Sequence, residues 1–180
     1  FMAVYALGAL PLAFVLYAAP LYLGRALGLS QAALGHWLWI PPLGWEIGYF
    51  FWGWFVDRMP RTPADDAKLF ALLALGGLPL ALVPSLSSFA VVMAVLFWAM
   101  FISAGFIIGG IAYATRVLLT RQSGLIAGLG AGSWSAMVAL TMPLFGRLFD
   151  AHAYGRAFVF AALVPVAGFT AWTLARKGSP

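Results

Sequence analysis

The run GWEIGYFFWGWFVDRMPR, Gly44 to Arg61, decides the fold class. A carboxylate, Glu46, stands inside an apolar stretch. The stretch stops at Asp57-Arg58-Met59-Pro60-Arg61. A charge inside hydrocarbon is expensive, and a cluster of charges closing an apolar run marks the edge of a membrane.

The rest of the chain agrees. Of its 180 residues, 64% are hydrophobic and only 8% charged. A soluble domain carries roughly 25% charged residues to cover its surface, so the composition calls for an integral membrane protein. There is no cysteine, which excludes disulfides and thiolate metal sites. The net charge of +5 does not indicate nucleic acid, because the cations are scattered at the ends of apolar runs. The chain opens at Phe1 in apolar sequence with no signal-peptide pattern, and is expected to be a fragment of a longer protein.

A spanning helix needs about 20 mostly apolar residues. Six such runs are predicted, over residues 1–23, 31–56, 69–83, 89–115, 123–145 and 157–175. Pro11 and Pro20 predict a bent first span, and Pro41-Pro42 a kink in the second. Ser30 is placed to cap the second and Ser123 to open the fifth. Residues 57–68 and 147–156 read as polar loops. The runs are too long for strands and lack their alternation. Seven Lys or Arg residues (Arg58, Arg61, Lys68, Arg116, Arg121, Arg176, Lys177) fall on one side of this topology and three (Arg25, Arg147, Arg156) on the other. The positive-inside rule then sets both chain ends in the cytoplasm. The expected location is a bacterial cytoplasmic membrane.

An offset of 93 residues matches Ser30 with Ser123, Gly35 with Gly128, Gly53 with Gly146, and Asp57 with Asp150. The matched helices run in opposite directions, so the expected fold class is an all-α membrane protein of two inverted three-helix repeats, an architecture recurrent in transporters. Small-residue ridges, Gly44/Gly48, Gly105/Gly109 and Gly124/Gly128/Gly132, predict close helix packing or a sliding interface.

Gly53-x-x-x-Asp57-Arg58-x-Pro60-Arg61 resembles the loop signature of the major facilitator superfamily, G-x-x-x-D-R/K-x-G-R-R/K, with Pro60 in place of its glycine and Thr62 in place of its last basic residue. Pro143-x-x-Gly146-x-x-x-Asp150, Tyr154, a last span and a basic tail resemble that family's final two helices. The resemblance implies the carboxy-terminal half of a twelve-helix transporter, whose partner is the missing amino-terminal six-helix half of the same protein. Spans one and four would line the cavity and spans two and five flank it. Asp57 stands at the end of its own helix, where that helix's dipole disfavours it. It is better placed beside Arg58 or at the start of an adjacent helix, with Gly53 allowing close approach. Such a charge latch suits a two-state element, and the resemblance implies that it locks the cytoplasmic side. A static loop anchor is the alternative.

Glu46 lies eleven residues before Asp57, so about 15 Å deeper at ~1.5 Å per residue. That is near the middle of a ~30 Å core. An acid there is a candidate for proton coupling, for binding a cation or a solute hydroxyl, or for a structural hydrogen bond. Trp45 and Tyr49 flank it. Tyr5, Tyr17 and Tyr113 are candidates for offering hydroxyls to a polar solute, and Trp134 for a stacking platform, with packing as the plainer reading. Arg116 reads as an orientation charge, and His36 and His152 as surface or capping residues. No metal-ligand spacing or cofactor motif is present.

The expected function is alternating-access transport of a small polar organic solute, coupled to protons through Glu46. The tryptophan-rich run vaguely resembles the branch handling sugar acids and other organic anions. A scaffold or sensor on the same fold is the rival reading. An intramembrane serine enzyme is disfavoured, since Ser133 lacks a membrane-depth histidine and a G-x-S-G turn.

Overall fold

The computed structural model describes residues 1–60, 62–117 and 122–177. These residues form helices and short connections, with no strand among them. The first rod is broken: α1 (Met2–Gly8), α2 (Leu10–Ala13), a π-turn (Phe14–Ala18) and α3 (Ala19–Arg25). Both breaks sit where the prolines require them. Pro11 has no N–H to donate, and its ring displaces the carbonyl one turn back, so the helix resets at Ala9. Before Pro20 the backbone widens, and the Ala19 N–H reaches the Phe14 carbonyl five residues behind.

The second rod is α4 (Gln31–Trp37) and α5 (Ile40–Arg58), interrupted at Leu38-Trp39 just before Pro41-Pro42. The Ser30 hydroxyl caps α4 by accepting from the Ala33 N–H at 3.2 Å. The third rod, α6 (Pro63–Gly76) and a 3₁₀ segment (Leu78–Ser85), corrects the expected loop at residues 57–68 and the expected start at Leu69. Thr62 is its N-cap. The Thr62 hydroxyl accepts from the Asp65 N–H at 3.3 Å and contacts the Asp65 carboxylate at 2.5 Å. Pro63 follows at the first helical position, and Asp65 and Asp66 complement the helix dipole.

The last three rods are α7 (Phe89–Val117), α8 (Ser123–Asp150) and α9 (Tyr154–Lys177). Helix α8 continues past the expected end at Phe145, so residues 147–150 are helical rather than loop. It closes with His152 in the left-handed region (φ 55°). There the Ala153 N–H bonds the Leu148 carbonyl at 2.8 Å and the His152 N–H that of Phe149 at 3.0 Å. This pattern satisfies the terminal carbonyls and gives His152 a capping role.

Five of the rods are long and apolar enough to cross a membrane, consistent with a multi-pass membrane protein. Helix α5 has the length, but Pro41, Pro42, Glu46 and its tryptophans lower its hydropathy. It nonetheless packs along α7 more extensively than any other pair of elements. Pro41, Gly44, Gly48, Trp52 and Val56 recur on its buried face at helical spacing. A Cβ at Gly44 would collide with the Phe97 carbonyl, and one at Gly48 would lie 2.8 Å from the Phe101 oxygen. Gly105 returns the favour: beside it the Trp52 indole passes close enough to donate to the Phe101 carbonyl at 2.8 Å. Two more tryptophans repeat this device. Trp98 donates to the Gly76 carbonyl at 2.7 Å, at the break before Pro79. Trp134 donates to the Ala9 carbonyl at 3.0 Å, at the break before Pro11. The Trp98 and Trp134 indoles thus donate to carbonyls at helix breaks, whereas the Trp52 indole ties α5 to a carbonyl inside α7.

Charged groups gather at the two ends of the bundle. One end holds Asp57, Asp66, Arg116 and Arg176. The other holds an ion pair between α3 and α8, Arg25 to Asp150 at 3.0 Å.

Candidate functional site

Four of the sequence candidates come together where α1, α5, α7 and α8 meet. Tyr5, Ala9 and Ile107 form a small buried cluster, and Phe1, Trp45, Tyr49, Ile111 and Trp134 pack against it. The rings of Trp45 and Tyr49 stand 4.6 Å apart. Their spacing on α5 is one helical turn, which sets them over each other. Tyr5 is held edge-on by Phe1 at 5.7 Å. Trp134 is anchored by its bond to the kinked carbonyl of Ala9, so its ring orientation is fixed by backbone rather than left to a solute.

Glu46 sits at the edge of this cluster. It is exposed, unlike its neighbours Trp45 and Gly48, and lies within electrostatic range of the Tyr49 hydroxyl. The flank that carries it is otherwise apolar: Leu43, Ile47 and Phe50 are exposed beside it, Phe50 by 80%. The chain's own helices therefore do not enclose the carboxylate.

Two other candidates lie elsewhere. Tyr17 is 57% exposed, just before Pro20 on the first rod, and does not join the cluster. Tyr113 packs against Phe70 and Trp172 on the α6/α9 side, with centroids 6.5 and 5.4 Å away. The hydroxyl of Ser133 donates to the Gly130 carbonyl at 2.8 Å.

The loop motif is arranged differently from expectation. Among the described residues no helix comes close to Gly53, where a Cβ would meet nothing within 4 Å. Its repeat counterpart Gly146 is equally open, as are the matched pair Gly35 and Gly128. Arg58 turns back on its own helix: it donates to the Trp54 carbonyl at 3.3 Å and stacks over the Trp54 ring at 4.6 Å. Arg61 lies outside the described residues. Asp57 is exposed and lines a cavity of about 150 Å³ with Asp66, Thr115 and Arg116.

The charge pair that sequence reasoning missed is in this cavity. Asp66 on α6 and Arg116 on α7 form an ion pair, with side chains 8% and 24% exposed. Arg116 also donates from Nε to the Ala112 carbonyl at 3.0 Å. It is thus a partner in the core rather than an orientation charge alone. A signal was present: Asp66 shares the i, i+3, i+4, i+7 face of Leu69, Phe70 and Leu73, all buried. Among the described residues no cluster of side chains is arranged to hold a metal. No protein-family model, curated protein or solved structure matches the chain.

Proposed function

We propose that this chain is part of a secondary transporter, corresponding to the carboxy-terminal half of a major facilitator fold with its two inverted three-helix repeats. In this reading it moves a small polar organic solute by alternating access, with Glu46 as the coupling acid. One observation carries it. Glu46 is a carboxylate on α5 that faces away from its own bundle, on an otherwise apolar flank, with Trp45 and Tyr49 of the aromatic cluster beside it. An acid at that depth needs water, a cation or a proton. A cavity closed by a second bundle, wet in one state and dry in the other, supplies all three in turn. Aromatic walls with a few hydroxyls suit a polar organic solute better than a bare ion.

The repeat-matched residues support the inverted-repeat arrangement. The matched glycines are open in both halves, and the two matched aspartates stand at opposite ends of the bundle: Asp57 lines a cavity with Arg116 of α7, and Asp150 pairs with Arg25 of α3.

The experiment is Glu46→Gln in the longer protein, assayed as solute uptake into proteoliposomes between pH 5 and 8. Uptake driven by a pH gradient is expected to fall at least about tenfold, with exchange of solute across the membrane retained. Unchanged uptake at every pH overturns the coupling role of Glu46. Folded protein that moves no candidate solute favours a scaffold or sensor.

A further inference from the structure

A second cavity, of about 490 Å³, opens at the Asp66 end of the bundle between α6, α7 and α9. Pro63, Asp66, Tyr113, Arg116, Val117 and Arg176 line it. Two guanidinium groups face one carboxylate, and that carboxylate is committed to Arg116. Arg176 is held by the Pro63 carbonyl and by the Trp172 ring, 4.7 Å beneath it. Among the described residues it has no carboxylate partner. The lining of this cavity thus carries one positive charge in surplus, while Asp57 lines the adjoining cavity of about 150 Å³ with Asp66 and Arg116.

We propose that this cavity binds the phosphodiester headgroup of an anionic phospholipid. The inference rests on the membrane reading of the chain and not on transport. Arginine suits a phosphate because its planar fork offers several donors to one group of oxygens. The cavity lies where the apolar spans Pro63–Ser85, Phe89–Val117 and Tyr154–Arg176 end, which is the headgroup level of a bilayer. Val117, 62% exposed, gives the cavity an apolar wall. A soluble phosphate would gain nothing from it; a lipid would lay its glycerol and acyl chains along it.

The test uses the whole chain in nanodiscs of phosphatidylcholine with phosphatidylglycerol, counting lipids retained by native mass spectrometry. The wild type is expected to retain phosphatidylglycerol preferentially. Arg176→Gln should lower that preference about fivefold. Arg25→Gln, in the exposed pair at the other end, should leave it unchanged. Equal loss in both variants, or none in Arg176→Gln, overturns the site. Displacement of the lipid by millimolar inorganic phosphate overturns the lipid assignment in favour of a soluble anion. A chain that fails to float with vesicles overturns the membrane reading and the site with it.

Discussion

Helices α5 and α8 carry the same small-residue spacing and use it in opposite ways. On α5, Gly44 and Gly48 touch the backbone of α7, so closely that neither position has room for a methyl group. On α8, Gly124, Gly128 and Gly132 would meet nothing within 4 Å. Burial follows the same divide: 17% of the α8 apolar window is inside the bundle, against 61% for α7 and 72% for the first rod. A ridge of glycines states that a helix is able to be approached. It does not state by what. On α5 the approach is made by a helix of the same chain, and the Trp52 indole donor locks it. On α8 the ridge is presented outward, while a different glycine, Gly130, takes the inward contact with Tyr5 and Phe1.

Three substitutions and one comparison variant bear on this contrast. Gly44→Leu should be the most damaging, because the obstruction is the Phe97 carbonyl and backbone does not swing aside as a side chain does. A cost of about 3 kcal/mol is expected, seen as loss of the monodisperse peak and a lower thermal midpoint in detergent. A tolerated leucine would mean that α5 and α7 do not touch there. Trp52→Phe keeps most of the ring but removes the bond to the Phe101 carbonyl, and should cost about 1 kcal/mol. The comparison variant Trp54→Phe, at a residue 52% exposed, should leave the thermal midpoint nearly unchanged. Gly128→Leu should be smallest, within about 0.5 kcal/mol for the bundle by itself. If Gly128→Leu unfolds the isolated chain, the outward placement of the α8 ridge is wrong.

Much of the architecture was legible because apolar length is a strong signal. The helical class, the proline breaks and the cap at Ser30 all follow from local chemistry. The limits of the third and fifth rods did not, for a shared reason. Charge at the end of an apolar run was read as loop, yet helices continue beyond the apolar window and place their charges on the last turns. Thr62-Pro63-x-Asp65 is a helix start, and a reading attentive to capping finds it. At the candidate site, the neighbours of Glu46 along α5 were visible from spacing alone. Tyr5 and Trp134 were identifiable as residues but not as neighbours, because their meeting depends on how the first rod bends and packs on α8. Asp66 and Arg116 are separated by 50 residues, and only the packing of α6 on α7 joins them.

The π-turn in the first rod is a phase slip. An α-helix repeats about every 3.6 residues, so a stripe repeating every four drifts off its face within a few turns. Yet the buried pairs here, Phe14-Val15, Ala18-Ala19 and Tyr22-Leu23, fall every four residues without drifting, while Leu16, Tyr17 and Leu21 stay outside. One wide turn absorbs the surplus, as a leap day keeps a calendar aligned with the seasons. The proline that forces the widening also keeps the two ends of a long rod in register with the same neighbours.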